Sequence, residues 1–157
     1  IKRKLSPRKL ILVGPGGLVA KRGKMTTMIP RHSKMTEQEV YNAHKTNLEI
    51  LMFHNPLKVD DISVHIQKQN TDAHRIKSRP ISATNTLAQI LKKQEVPLYV
   101  IWGEKDASVG AYLEDRMKIL RSINPEVRFH VEFNLGHWIM YENETLFNKI
   151  LDNIIQD

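Results

Sequence analysis

Val96-Pro97-Leu98-Tyr99-Val100-Ile101-Trp102-Gly103-Glu104-Lys105-Asp106 is the stretch whose reading decides the fold. A short, unbroken apolar run does not alternate, so it reads as a strand buried on both faces, the kind that parallel sheets use. Pro97 stands at its start, where a missing N–H is tolerated. Gly103 and the polar residues after it end the run and place Asp106 just beyond the carboxyl end of the strand. In open parallel sheets that edge is where ligands bind.

Working outward, Leu10-Ile11-Leu12-Val13 is a second fully apolar run, stopped by Gly14-Pro15-Gly16-Gly17. It predicts another buried parallel strand leaving the sheet into a tight loop. Downstream, Val127 to Phe133 alternates, with Phe129, Val131 and Phe133 on one side and Arg128, His130 and Glu132 on the other. A half-exposed edge strand has that pattern. Leu135-Gly136-His137-Trp138 follows it directly, so a second polar loop is expected on the same edge of the sheet as Asp106.

Between the first two strands lie three helical patterns. Thr36-Glu37-Gln38-Glu39 is a capping box that opens a helix carrying Val40, His44, Leu48, Leu51 and Met52 as far as Asn55-Pro56. A second helix is predicted from Asp61 towards Ile76, with Ile62, Ile66, Gln69, Ala73 and Ile76 inward, and a third from about Thr84 to Lys93. One crossover helix suffices to join parallel strands, so the surplus reads as an inserted cap. Beyond Asp106, Ser108 is expected to cap a helix with Leu113, Met117 and Leu120 inward. A last helix is expected from about Glu142 to Ile155 on Leu146, Ile150 and Ile154. The organisation predicted is a core strand and loop over 1–19, a helical cap over 20–94, and core strands and helices with the acid and histidine loops over 95–157.

Composition agrees with an ordinary globular chain, at 157 residues with 41% hydrophobic and 26% charged. Cysteine is absent, which rules out disulfides and thiolate metal sites and fits a reducing cytoplasm. No apolar run reaches membrane-spanning length, so no membrane partner is expected. The net charge of +7 is partly local, from Lys2, Arg3, Lys4, Arg8 and Lys9 and then Lys21, Arg22 and Lys24. No aromatic residues interleave with that cluster to stack on bases. It reads as solvated surface and no nucleic-acid partner is expected.

Asp106 and His137 are the candidate chemistry. The histidine follows the acid by 31 positions, room for one helix and one strand, which puts their loops on neighbouring strands. A carboxylate there can accept the imidazole Nδ1–H, fix the tautomer and stabilise the imidazolium that forms when Nε2 takes a proton. Singly, such an Asp is ordinarily a turn former and such a His a satisfied surface or core group. The pair carries weight because order, spacing and strand context agree. His32, His44, His54, His65 and His74 fall at no metal-ligand spacing, and neither a metal nor a cofactor is expected. His65 and Ser63, on the polar second helix, are placed to reach a pocket under a cap.

From Leu10 to Asp157 the chain resembles the C-terminal part of the α/β-hydrolase superfamily. The likeness is greatest to capped members that include the meta-cleavage-product, carbon–carbon bond hydrolases. It rests on the strand into Gly14-Pro-Gly-Gly17, the helical cap, Pro97-Leu-Tyr-Val-Ile-Trp-Gly-Glu-Lys-Asp106, and Gly136-His-Trp138 followed by Glu142. The resemblance implies Asp106 as triad acid, with Glu104 a poorer match, His137 as general base, and Trp138 as a pocket residue. It also implies a cap arginine to hold an acidic substrate, for which Arg75 and Arg79 stand as candidates. The implied activity is hydrolysis of ester or carbon–carbon bonds in a small-molecule substrate.

The chain departs from the family pattern at the nucleophile. The superfamily sets its serine on a strand-to-helix G-x-S-x-G turn before the acid, and the serines at 6, 33, 63, 78, 82, 108 and 122 lie in no such turn. Asp106-Ala-Ser108-Val-Gly110 comes nearest but lacks the first glycine. The sequence opens on Ile1, and the strand at Leu10 is apolar on both faces and wants a further neighbour. The expectation is a fragment of a protein of roughly twice the length, partnered by the missing N-terminal part of the same fold, with a homo-oligomer also open to it. The rival expectation is a non-catalytic α/β-hydrolase-like protein that binds a ligand or partner under its cap.

Overall fold

The computed structural model describes residues 7–76 and 78–157, with the backbone alone at 78 and 79. Lys2, Arg3, Lys4, Ser6 and the side chains of Ser78 and Arg79 lie outside it. Strands β1 (Leu10–Val13), β2 (Leu98–Gly103) and β3 (Arg128–Glu132) form a parallel sheet in the order β1-β2-β3. Leu10 pairs with Leu98 and Val13 with Ile101, while Tyr99 pairs with Arg128 and Gly103 with Glu132. All three strands therefore point their carboxyl ends at one edge. The central strand β2 is buried at every residue, whereas all four residues of β1 are half-buried. β3 is the half-exposed strand its alternation predicts.

Each strand sends alternate side chains to opposite faces, and two apolar layers result. Leu10, Leu12, Val100 and Trp102 pack with Leu18, with α4 (Thr86–Leu91) through Ala88 and Leu91, and with α5 (Leu113–Ile123) through Leu120. Ile11, Val13, Tyr99 and Ile101 pack on the other side against Leu135, Ile139 of α6 (Ile139–Glu142), and Ile150 and Ile154 of α7 (Glu144–Gln156). Fully burying such side chains contributes about 1.5–3 kcal/mol each, so this two-sided core fixes the loops at the sheet's carboxyl edge. Phe129 stacks on Trp102 at 6.4 Å. Phe133, expected on the same side, is 78% exposed. β3 ends before it, and the chain turns through Asn134 in the left-handed region.

Between β1 and β2, α4 supplies the crossover helix and α1 (Glu37–Leu51) with α2 (Asp61–Asp72) forms a separate pair. The Thr36–Glu39 capping box is present in both directions, at 3.3 and 2.7 Å. Helix α2 ends at Asp72, and a short helix, α3 (Ser78–Ser82), precedes α4. The face of α2 differs from the one its isoleucines predict: Ile62 and Ile76 are exposed, while Ser63 and Val64 are buried. The reason is local. Ser63 N–H donates to Asp60 Oδ1 and its hydroxyl donates to the Asp60 carbonyl, so this serine is satisfied within its own turn and costs little to bury. Val64 then joins Leu48, Phe53 and Val59 in a third cluster.

Ser108 does not cap the following helix. It sits in the turn after Asp106, a 3₁₀ turn over Gly110–Tyr112 intervenes, and α5 begins only at Leu113. The predicted last helix is α7, beginning at Glu144, and Asn143 caps it by accepting the Leu146 N–H; the short α6 before it is a further helix that the sequence pattern does not predict. Among the described residues no helix is long and apolar enough to cross a membrane.

Candidate active site

The turn after β2 and the turn after β3 meet. Asp106 is 1% exposed, and its Oδ2 lies 2.7 Å from His137 Nδ1. Its Oδ1 accepts the Ser108 N–H at 2.8 Å. Burial pushes the Asp106 carboxyl up, but the His137 hydrogen bond and charge, with the Ser108 amide, outweigh it and hold the group below the usual carboxylate range. The carboxylate is thus ionised and oriented at neutral pH, and it fixes the ring through Nδ1. The His137 side chain is 28% exposed and lines a cavity of about 500 Å³.

Three glycines make this approach possible. Gly14, at the end of β1, has φ +54°, and a Cβ there would stand 2.8 Å from His137 Cε1 and 3.7 Å from Asp106 Oδ2. The imidazole therefore rests edge-on against bare backbone. Gly103 and Gly136 hold the two turns together, since a Cβ on Gly103 would come within 2.2 Å of the Gly136 carbonyl. Gly14 reads in sequence as a turn former, and its second duty as the seat of the ring is visible only when β1 and β3 are placed.

Glu142 positions the histidine loop from behind. It is 3% exposed and accepts three backbone amides, from Gly136 at 2.6 Å, Asn55 at 2.6 Å and His54 at 3.0 Å. It ties the residue before His137 to the segment that leaves α1. Trp138 N–H adds a bond to the Met52 carbonyl at 2.8 Å.

The other expected site residues are not gathered at this cavity. The Trp138 ring packs on Phe53 and Tyr141, at 5.8 and 6.0 Å, in the cluster between α1 and α2. His65 is exposed in a groove between α1 and α2. Ser63 is enclosed in its cap, Arg75 is exposed after α2, and none of the four lines the cavity. Glu104 reaches the Asn134 and Lys105 region rather than the imidazole. Sequence reasoning missed Arg116, a buried guanidinium on α5 that does line the cavity. It hides beside the apolar stripe of α5, where its neighbours Met117 and Leu120 dominate the pattern. Ser82 ends α3 and Ser108 lies in the connection from β2 to α5; both line the cavity, and neither stands in a G-x-S-x-G sequence.

The sequence is 26% identical to 2-hydroxy-6-oxo-6-phenylhexa-2,4-dienoate hydrolase of Burkholderia cepacia over 90% of this chain and 52% of that protein. It is 24% identical, with the same two coverages, to the 2-hydroxy-6-oxononadienedioate/2-hydroxy-6-oxononatrienedioate hydrolase of Comamonas testosteroni. The chain thus spans about half the length of the curated relatives it matches. The fold superimposes on the meta-cleavage product hydrolase of Pseudomonas fluorescens IP01 with TM-score 0.62 and 16% identity, covering 94% of this chain and 55% of that one. It matches an esterase of Rhodococcus sp. ECU1013 with TM-score 0.62 and 15% identity, covering 96% and 56%. No family model matches. With the Asp–His turn pair in place and these likenesses beside it, the chain takes the fold of the C-terminal part of the α/β-hydrolase superfamily and is similar in sequence to its meta-cleavage product hydrolases.

Proposed function

We propose that this chain is the C-terminal half of a capped serine hydrolase that cleaves ester or carbon–carbon bonds, with His137 as general base and acid and Asp106 as its orienting carboxylate. The observation that carries the reading is the 2.7 Å contact between a buried Asp106 and a His137 that opens on a cavity. Residues 20–94 act as the lid, built on the α1–α2 pair, over a catalytic edge supplied by the three strands. The nucleophilic serine stands on a segment that precedes Leu10. The half-buried β1, apolar on both faces, takes its next strand from that segment, and the curated relatives are about twice as long as the matched region.

In this mechanism Nε2 of His137 accepts the serine hydroxyl proton as the oxygen attacks the substrate carbonyl. The ring becomes an imidazolium held against the Asp106 carboxylate. The carbonyl bond re-forms, the bond to the leaving group breaks, and His137 returns the proton to that group. Water then repeats the sequence and releases the acid. The fold and the sequence relatives both support hydrolysis, and the dienoates in the relatives' names, together with simple esters, are the substrates to assay. The test is turnover by the protein expressed from its complete open reading frame. His137→Ala should abolish turnover while circular dichroism shows the wild-type secondary structure and the protein still unfolds cooperatively, at a lower temperature because the buried Asp106 loses its partner. Retained turnover in a folded His137→Ala protein removes the reading.

A further inference from the structure

β3 ends the sheet on the side away from β1, and among the described residues no segment pairs with its outer edge. The Glu104 N–H donates to the Glu132 carbonyl at 2.9 Å. Backbone groups of successive strand residues point to opposite edges. Arg128, His130 and Glu132 therefore turn theirs to β2, while Phe129 and Val131 turn theirs outward, where no group of the described residues meets them. Such an edge is ordinarily blunted by proline, by charge or by a covering element. β3 has no proline, and its two charged residues, Arg128 and Glu132, have opposite signs and stand equally far from His130. That spacing is self-complementary. A strand with charges of one sign would repel its own copy, whereas this one fits it.

We propose that β3 is a homodimer interface, pairing antiparallel with the β3 of a second copy about a two-fold axis through His130. A closed two-fold pair is the commonest way for a chain to meet its own copy. In this register Phe129 faces the partner's Val131 and the two exchange both backbone hydrogen bonds, which the symmetry repeats. Arg128 stands opposite the partner's Glu132, so an ion pair closes each end. The Arg128 side chain is 61% exposed, and Nη1 alone serves Asp157 and the Tyr99 hydroxyl, which leaves the guanidinium donors for a further carboxylate. Among the described residues no cation pairs with Glu132. Phe133, 78% exposed, gains the partner's Val127 as a neighbour. Moving the axis to Val131 sets Arg128 against the partner's Asn134, which has already left the strand. Moving it to Phe129 sets Glu132 against the partner's Glu126, a repulsion. The edge is remote from the His137 cavity, so the proposal does not rest on the catalytic reading.

The experiment is sedimentation velocity on the protein from its complete open reading frame, where wild type should run as a dimer at micromolar concentration. Val131→Pro removes the outward N–H and leaves the ladder to β2 whole, so the folded variant should dissociate about a hundredfold more readily. Arg128→Glu and Glu132→Arg each set like charges opposite one another at both ends, and each should weaken the dimer about tenfold. An equimolar mixture of those two variants should regain wild-type association, because the mixed pair restores opposite charges at both ends. The His130→Cys variant gives a second readout. Opposed Cα atoms at a position without hydrogen bonds lie about 4.5 Å apart, within disulfide reach. Diamide should therefore cross-link this variant to a dimer and leave wild type unlinked. A monomeric wild type, a folded Val131→Pro protein that stays dimeric, a mixture no tighter than its components, or His130→Cys that stays unlinked overturns the proposal. Turnover enters none of these outcomes, so this proposal and the catalytic reading fail separately.

Discussion

Two neighbouring turns at the carboxyl edge of the sheet each engage one buried carboxylate, and the carboxylates are used in opposite ways. Asp106, after β2, gives one oxygen to a backbone amide and keeps the other for the His137 ring. Glu142, after β3, gives both oxygens to backbone amides, those of His54, Asn55 and Gly136. The first arrangement leaves a partner that can change protonation state and faces a cavity. The second has no titrating partner and pins three pieces of chain in register. Burial is common to both, so it does not tell a carboxylate that orients a ring from one that ties backbone together. The partner does.

That contrast breaks or stands on paired substitutions. Asp106→Asn removes the carboxylate that fixes the ring tautomer, and turnover of the full-length protein should fall about 10⁴-fold while the fold persists. The same variant has a pH signature. The Asp106 carboxyl is held below its ordinary value, so its stabilising contribution is present at neutral pH and lost as pH falls through the lowered folded value. Acid unfolding monitored by fluorescence should therefore lose part of its dependence below about pH 4 in Asp106→Asn. An unchanged acid limb would mean that the pair contributes nothing to stability.

Gly14→Ala sharpens the comparison from the side of the ring. A methyl 2.8 Å from His137 Cε1, at φ +54°, must displace the imidazole or the strand end. Misplacement on this scale costs about 10²-fold in turnover, to be read as a loss of kcat at nearly constant KM. Glu142→Gln should act the other way round. It turns one acceptor oxygen into a donor that faces backbone N–H groups, at a cost of about 3 kcal/mol read as a lower melting temperature and denaturant midpoint. Turnover per folded molecule should drop by about tenfold or less, since the tie to Gly136 loosens but the ring partner stays. A Glu142→Gln protein with wild-type stability and no turnover would reverse the roles assigned to the two carboxylates. The smallest effect belongs to an exposed acid. Asp72, bonded by Lys68 at 2.6 Å and Arg31 at 2.7 Å, is held down at about 2. It lies at the surface, so Asp72→Asn should leave turnover unchanged and barely move the melting temperature.

The sheet and its two polar turns were legible because two unbroken apolar runs and one alternating run mark the strands. Runs that apolar over Leu10–Val13 and Leu98–Trp102 fit only strands covered on both faces, and Asp106 and His137 follow their strands too closely to fall elsewhere than at the carboxyl edge. Glu104, two residues short of Asp106, is turned towards Asn134. What escaped depends on partners that no local pattern encodes. The inward face of α2 is set by Ser63, a polar residue made cheap to bury by its own cap, so counting isoleucines selects the wrong side. The seat of the His137 ring at Gly14 depends on a strand more than 120 positions away from that histidine. Arg116 is masked by an apolar stripe, and the three amides that Glu142 accepts belong to two segments far apart in sequence.

The central claim, that His137 and Asp106 serve a serine lying before Leu10, is tested most directly by treating the protein from its complete open reading frame with a fluorophosphonate and locating the adduct by peptide mass spectrometry. The account predicts one modified serine, in a G-x-S-x-G turn N-terminal to Leu10, and loss of labelling in His137→Ala. An adduct on Ser82 or Ser108, the two serines that share the cavity with His137, or no adduct at all, would contradict it.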